Sequence, residues 1–225
     1  MKSLRNFIDK IKPNFEKGGK LEIFHSTFEG FETFLFVPNK VTQKGSHIRD
    51  AIDLKRTMII VVLALVPALL FGIWNVGYQH ALATGAPTDF WPIVLFGLGK
   101  VLPIVVVSYL VGLGIEFGFA QVRKHEINEG FLVTGMLIPL IVPVDIPLWM
   151  VALATAFTVI IGKEVFGGTG MNIWNPALLA RAFLFFAYPA QMSGSMVWIS
   201  GIAEMPGVDA TTGATALGVA ATGGT

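Results

Sequence analysis

Long apolar stretches separated by short polar segments dominate the chain after residue 56. Five of them have the hydrophobicity of membrane helices, at residues 57–78, 91–121, 131–142, 148–161 and 175–188. A helix needs about 20 apolar residues to cross the hydrocarbon core, so the third and fifth stretches are short enough to be re-entrant segments instead. The pattern predicts an all-α polytopic integral membrane protein with about five transmembrane helices.

The first 56 residues have a different composition, because they hold 11 of the 16 Lys and Arg residues of the chain and 7 of its 15 Asp and Glu residues. They contain no apolar core before a cleavage site, which excludes a signal peptide. Ile48, Ile52 and Leu54 are spaced roughly as one face of a helix. Residues 46–56 are therefore predicted to form an interfacial helix at the membrane surface or a solvated linker helix.

The Lys and Arg residues alternate between successive loops. The head is basic, loop 81–90 has none, loop 122–129 has two, loop 143–147 has none and loop 162–174 has Lys163. Because loops rich in Lys and Arg stay in the cytoplasm, this alternation predicts a cytoplasmic N-terminus. The predicted organisation is a basic cytoplasmic head (1–56), a membrane domain (57–190) and an external loop (191–225).

Composition agrees with a membrane location and removes several classes of function. Of 225 residues, 53% are hydrophobic and 14% are charged, whereas soluble domains have about 25% charged residues. The absence of cysteine excludes disulfides, thiolate zinc sites and cysteine-ligated iron–sulfur clusters within this chain. A net charge of +1 speaks against a nucleic-acid partner. The chain ends within a tail of small residues, and we expect it to be a fragment that lacks further spans.

The external tail contains the sequence Asp209-Ala-Thr-Thr-Gly-Ala-Thr215. Gly213 and Ala214 add no bulk beside Thr215, so a modifying enzyme can approach its hydroxyl. A simple turn of small residues would have the same composition. The pattern resembles the acceptor motif of bacterial flavin transferases, Asp-x-x-(Ser/Thr)-Gly-Ala-Thr, at all five specified positions. This resemblance implies that Thr215 carries FMN through a phosphoester and that Asp209 serves recognition by the transferase.

A glycine-rich stretch on the predicted cytoplasmic side ends in two asparagines, Asn172 and Asn175. Amides offer both hydrogen-bond donors and acceptors, as the edge of a flavin ring requires. The alternative is that Asn175, which precedes a proline, caps the fifth helix and that the glycines form turns.

Charged residues also occur within the apolar stretches. Glu116 lies near the predicted inner end of the second span, where a carboxylate is costly unless it has a function. It predicts either a path for ions or a carboxylate that reaches the interface or pairs with Arg123 or Lys124. Lys100 and Arg181 are expected to extend toward the headgroups.

These stretches, together with Asn128-Glu-Gly-Phe131 and residues 181–191, resemble the B subunits of sodium-translocating NADH:quinone oxidoreductases. The resemblance implies a redox-driven sodium pump of the bacterial inner membrane that takes electrons from NADH to a quinone. It further implies covalent FMN at periplasmic Thr215 and noncovalent riboflavin near Asn172 and Asn175. Glu116 would be a sodium-linked acid, and Gly112 would lie in the quinone region. Leu113 departs from the glycine pair that the family has there.

The same resemblance implies partners. They are the other subunits of the complex, a flavin transferase during maturation, quinone, Na⁺ and membrane lipid. NADH oxidation is expected on another subunit, because the chain has no strand–Gly-x-Gly-x-x-Gly–helix unit. Three alternatives remain: the homologous D subunit of the Rnf ferredoxin:NAD oxidoreductase, a sodium-coupled transporter without redox function, and a structural membrane scaffold. The long basic head favours the sodium-translocating NADH:quinone oxidoreductases over the Rnf complex.

Overall fold

A computed structural model describes residues 2–15, 24–36, 52–123, 130–194 and 197–201, together with positions 19, 21, 42, 44–46 and 220. The described residues form helices and turns, with no strand among them. The α-helices are α1 (Lys2–Ile11), α2 (His25–Leu35), α3 (Leu54–Thr84), α4 (Phe90–Arg123), α5 (Gly130–Ile141), α6 (Leu148–Ile160), α7 (Pro176–Ala187) and α8 (Pro189–Met192). Two short 3₁₀ helices are formed by Lys12–Asn14 and Glu164–Phe166.

Each of the five predicted apolar stretches coincides with one helix, from α3 to α7. Among the described residues, three helical segments are long and apolar enough to cross a membrane: Leu54–Thr84, Phe90–Arg123 and Leu148–Phe166. Helices α5 and α7 are apolar but have only 12 residues each. The prediction of an all-α polytopic membrane protein is confirmed.

Helix α3 begins at a well-defined cap. The carboxylate of Asp53 accepts a hydrogen bond from the backbone N–H of Arg56 (3.0 Å) and pairs with the guanidinium of the same residue (2.8 Å). Ile52 and Asp53 precede the helix, and Leu54 already belongs to its first turn. Of the predicted interfacial helix 46–56, residues 47–51 lie outside the described residues, and its last three residues form the start of α3.

Helices α3 and α4 approach each other closely through two glycines. A Cβ atom added to Gly97 would lie 1.8 Å from the carbonyl oxygen of Ile73, and one added to Gly77 would lie 2.0 Å from that of Ile93. Small residues allow this backbone contact between membrane helices, where lipid is as apolar as a side chain and packing drives association.

The buried core lies among α4, α5, α6, α7 and the short α8. Its members are apolar residues that these helices and the α5–α6 loop direct inward: Ile104, Ile138, Val142, Ile146, Met150, Val151, Ala154, Ala177, Ala180, Leu184 and Met192. By contrast, Leu63, Leu70 and Phe71 of α3 are 61–63% exposed. An apolar face of this kind suits contact with lipid or with neighbouring membrane helices.

Candidate functional site

Two clusters of polar residues lie at opposite ends of the helix bundle. The Glu116 cluster consists of Glu116, Arg123, Lys163 and Glu164, at the C-terminal ends of α4 and α6. The Asp145 cluster consists of Asp145, Lys100, His80, Ser200 and Gly201. The α5–α6 loop supplies Asp145, and the segment that follows α8 supplies Ser200 and Gly201.

In the Glu116 cluster, the ammonium group of Lys163 donates a hydrogen bond to the carboxylate of Glu116. Both residues are buried, with 5% of Glu116 and 4% of Lys163 exposed. Glu116 shares the buried face of α4 with Gly112 and Ala120, so its position in the helix directs it into the protein. A carboxylate in such surroundings needs a counter-charge, since desolvation of a lone ion costs several kcal/mol.

The structure corrects one of the alternatives for Glu116, the pair with Arg123. Arg123 instead pairs with Glu164, through one nitrogen to the carboxylate (2.9 Å) and another to the backbone carbonyl (2.8 Å). Lys124 lies outside the described residues, and Glu116 does not reach an interface because it is buried. Among the described residues, no group of three His, Asp or Glu side chains could hold a metal ion.

The glycine-rich turn after these pairs has a left-handed backbone. Gly167, Gly168 and Gly170 have φ values of 116°, 97° and 89°. Residues with a Cβ atom rarely adopt such backbone angles. The turn contacts the start of α5, because a Cβ added to Gly130 would lie 2.6 Å from the methyl group of Thr169. The turn thereby places the following asparagines at the same end of the bundle as the Glu116 cluster.

Asn172 and Asn175 both bond to the backbone around them. The side-chain oxygen of Asn175 accepts from the N–H groups of Ala177 (2.9 Å) and Leu178 (3.2 Å), which confirms the predicted helix cap. The Asn172 side chain accepts from Gly170 (3.3 Å) and donates to the carbonyl of Trp174 (2.8 Å). Among the described residues, each amide therefore has at least one N–H group without a hydrogen-bond partner, while the oxygen of Asn175 accepts two bonds and that of Asn172 accepts one.

A flavin held at this loop would contact amide and apolar groups. Its ring carbonyl oxygens would accept from the remaining amide N–H groups, and apolar side chains are exposed beside them. Met171 and Ile173 are each 68% exposed and Trp174 is 55% exposed. Trp174 also packs edge to face against Phe166, with ring centroids 6.0 Å apart.

The predicted quinone region around Gly112 is covered by an aromatic ring. A Cβ added to Gly112 would lie 1.8 Å from Cζ of Phe131, so the ring of Phe131 lies against the glycine. Phe131 is itself only 1% exposed. A quinone could contact Gly112 only after the Phe131 side chain had moved.

In the Asp145 cluster, the carboxylate of Asp145 accepts three hydrogen bonds. Its oxygens accept from the ammonium of Lys100 (2.8 Å), the hydroxyl of Ser200 (2.8 Å) and the backbone N–H of Gly201 (2.7 Å). Nδ1 of His80 donates to the carbonyl oxygen of Ser200 (2.8 Å). Partial burial raises the pKa of Asp145, but these hydrogen bonds and the Lys100 charge outweigh it and lower the pKa below its usual value.

Lys100 and Arg181 both have partners within the protein, and their extension toward the headgroups stays a prediction. Lys100 pairs with Asp145, and the guanidinium of Arg181 donates to the carbonyl of Ile141 at the end of α5. A charged group inside a bundle is stabilised by such internal partners. The residues of the acceptor motif, Asp209, Gly213, Ala214 and Thr215, lie outside the described residues.

Sequence reasoning did not find Asp145 as an anchor or Lys163 as the partner of Glu116. Residues 57–225 contain only five basic side chains, and each cation within the bundle needs a counter-charge. The small number of basic side chains therefore indicates that each one has a partner within the protein. The identity of the partners follows only from the fold, since 47 residues separate Glu116 from Lys163.

Comparison with known proteins connects this chain to a membrane family. Residues 41–224 match the model of the "NQR2, RnfD, RnfE family". The chain is 49% identical to a protein of Azotobacter vinelandii, 48% to one of Ectopseudomonas mendocina and 45% to one of Chromohalobacter salexigens, each over 98% of its own length. All three are named as the B subunit of a Na(+)-translocating NADH-quinone reductase. The chain spans 57–59% of the length of these relatives.

Proposed function

Because this chain belongs to the NQR2, RnfD, RnfE family, we propose that it acts as a membrane subunit of a redox-driven sodium pump that takes electrons from NADH to a quinone. The names of its relatives support both sodium translocation and quinone reduction. The match to these relatives includes the basic head, since it covers 98% of the chain. This favours the NADH-quinone reductase over the Rnf complex, whose subunits the family description also includes.

Thr215 is proposed to carry FMN through a phosphoester bond. The observation that carries this proposal is the match of Asp209 to Thr215 with the flavin acceptor motif at every specified position. The Lys and Arg pattern supports a periplasmic position for this segment and an inner-membrane location for the helices. Bound flavins supply the electron-transfer chemistry, while the protein holds and orients them. A covalent tether would keep the flavin at a high effective concentration beside its redox partners.

The test replaces the acceptor oxygen. Thr215→Val keeps the shape of the side chain but removes its hydroxyl, so the denatured subunit should lose its in-gel flavin fluorescence and the complex should lose quinone reduction. The matched control is Thr212→Val, which should keep the fluorescence. Fluorescence that persists in the Thr215→Val subunit would show that another residue is the acceptor. Mass spectrometry of the Thr215 peptide from native membranes would identify the attached group directly.

Glu116 is proposed to contribute to the uptake of sodium. A carboxylate is a hard oxygen ligand suited to small cations, and Glu116 lies within a membrane helix with an ammonium group as its present counter-ion. A sodium ion that reaches Glu116 would therefore compete with Lys163. Glu116→Gln should raise the sodium concentration needed for half-maximal turnover. Glu164→Gln is the matched control, since Glu164 is equally buried but paired with Arg123. An equal effect of both changes would assign Glu116 a purely structural role.

A transporter without redox function is the second candidate, and the buried Glu116–Lys163 pair alone would suit it equally well. The flavin test separates the two. A subunit that carries neither covalent flavin on Thr215 nor noncovalent riboflavin at the Asn172–Asn175 loop would support the transporter.

A further inference from the structure

One hydroxyl group in the middle of the membrane domain has no hydrogen-bond partner. Thr155 of α6 is 0% exposed, and its Oγ1 is the only buried side-chain polar atom without a partner in the described α-helices. A threonine within a helix commonly donates to the backbone carbonyl four residues earlier. Thr57 and Thr84 of α3 do so, at 3.2 Å and 2.9 Å. A buried hydroxyl without such a bond is costly, and an ion is one of the partners that explain such groups.

A backbone oxygen of α5 also lacks its usual donor. Pro139 lies within α5 and has no N–H group, so the carbonyl of Gly135, four residues earlier, has no α-helical partner. The hydroxyl of Ser108 in α4 donates to this carbonyl instead, over 3.2 Å. That distance is long for a bond donated by a hydroxyl group, and a carbonyl oxygen has two lone pairs. The two oxygens therefore have lone pairs left for a cation.

These three groups lie at the same level of the bundle. The pair of Glu116 with Lys163 aligns α6 along α4, and the two helices pack against each other. Backbone hydrogen bonds continue the helical pattern of α6 for two residues beyond its end. Ser108 and Thr155 each precede their member of the pair by eight residues, which places both about 12 Å from it. Gly135 lies at this level because it bonds to Ser108.

This level is the middle of the membrane domain. Ser108, Gly135 and Thr155 each lie within two residues of the midpoint of their helix. Membrane transporters bind their coupling ions near the midplane of the bilayer and use carbonyl groups of interrupted helices as ligands. Ser108 and Thr155 are both 0% exposed, so an ion between them would be shielded from water at either membrane surface.

We propose that Na⁺ binds transiently at this level, with the Thr155 hydroxyl, the Ser108 hydroxyl and the Gly135 carbonyl as oxygen ligands. This inference rests on the proposed translocation of sodium. Hard cations take oxygen ligands, and neutral carbonyl groups can replace the water molecules that surround an ion. Because none of the three ligands is charged, the site holds the ion weakly, as conduction requires. It provides a binding position between the Glu116 cluster and the Asp145 cluster.

Thr155→Val tests the site, because valine keeps the shape of threonine and removes its oxygen. In the complete complex, the sodium concentration needed for half-maximal turnover should rise at least about tenfold, as expected when one contact of a polar group with a charge is lost. The Tm should stay at the wild-type value or rise, since the removed hydroxyl has no hydrogen bond. Thr155→Ser keeps the oxygen and should retain the wild-type sodium dependence. An unchanged sodium dependence of Thr155→Val would overturn the site.

Thr158 provides the matched control, since it lies one turn further along α6 and is also 0% exposed. Its hydroxyl donates to the carbonyl of Pro176. Thr158→Val should therefore lower the Tm and leave the sodium dependence unchanged. An equal rise of the sodium requirement in Thr158→Val and Thr155→Val would attribute the effect to the packing of α6 and overturn the proposal.

A second variant and a transport measurement separate the site from the function on which it rests. Ser108→Ala removes a ligand from the neighbouring helix and should also raise the sodium requirement. Liposomes that contain the wild-type complex should take up radioactive sodium during NADH oxidation. Quinone reduction without sodium uptake by the wild type would refute sodium translocation itself. Sodium uptake by the wild type, with unchanged sodium dependence of Thr155→Val and Ser108→Ala, would leave translocation intact and overturn the site alone.

Discussion

Replacement of Lys163 by methionine removes the positive charge from the buried pair with Glu116 and keeps most of the side-chain volume. Both side chains are 5% exposed, so water cannot take over the role of the ammonium group. The substitution takes a hydrogen-bonded counter-charge from a buried carboxylate, and breaking a buried ion pair in this way costs about 3–5 kcal/mol. For a chain of about this size, 1 kcal/mol corresponds to roughly 2–4 °C in Tm. Lys163→Met should therefore lower the Tm by roughly 6–20 °C.

A double-variant cycle separates the charge from the packing. Glu116→Gln in addition to Lys163→Met replaces the ion pair by neutral groups of similar size, which is often close to neutral in stability. The double variant should recover most of the loss, which requires a coupling energy of about 3 kcal/mol, the upper end of the range for residues in contact. Thermal unfolding of the purified complex, followed by the fluorescence of its tryptophans, gives the four Tm values. Additive effects of the two substitutions, or a loss below about 1 kcal/mol for Lys163→Met, would refute the buried pair.

Three other predictions address packing, the asparagine loop and topology. Gly97→Ala should destabilise the protein by about 1–3 kcal/mol, because its Cβ would collide with the backbone of α3, whereas Gly99→Ala, which meets nothing within 4 Å, should be tolerated. Asn175→Leu should lower both the Tm and the amount of riboflavin released by acid. Asn175→Ser keeps a capping oxygen and should lower the riboflavin alone. Full riboflavin in both variants would show that Asn175 does not bind it. In intact cells, an impermeant thiol reagent should label a single cysteine placed at Thr222 but not one placed at Ser46. The reverse pattern would show that the predicted topology is inverted.

The helices were predictable because their signals are local. An apolar stretch identifies its own helix, and Asn175 before Pro176 identifies a cap without reference to the rest of the chain. The pairing of charges is not local. Asp145 and Ser200 are 55 residues apart, and the sequence contains no feature that connects them. One alternative for Glu116, a pair with Arg123, was wrong for the same reason, since Arg123 is nearer in sequence but bonds to Glu164 in the fold.

The shortness of α5 determines what must surround it. Its 12 residues span about 18 Å, whereas the hydrocarbon core of a bilayer is about 30 Å thick. A helix of this length ends within the core, so the backbone at its two ends must be covered by protein rather than by lipid. The guanidinium of Arg181, which donates to the carbonyl of Ile141, provides such a partner at one end. The neighbouring helices α3 and α4, with 31 and 34 residues, are long enough to enclose both ends.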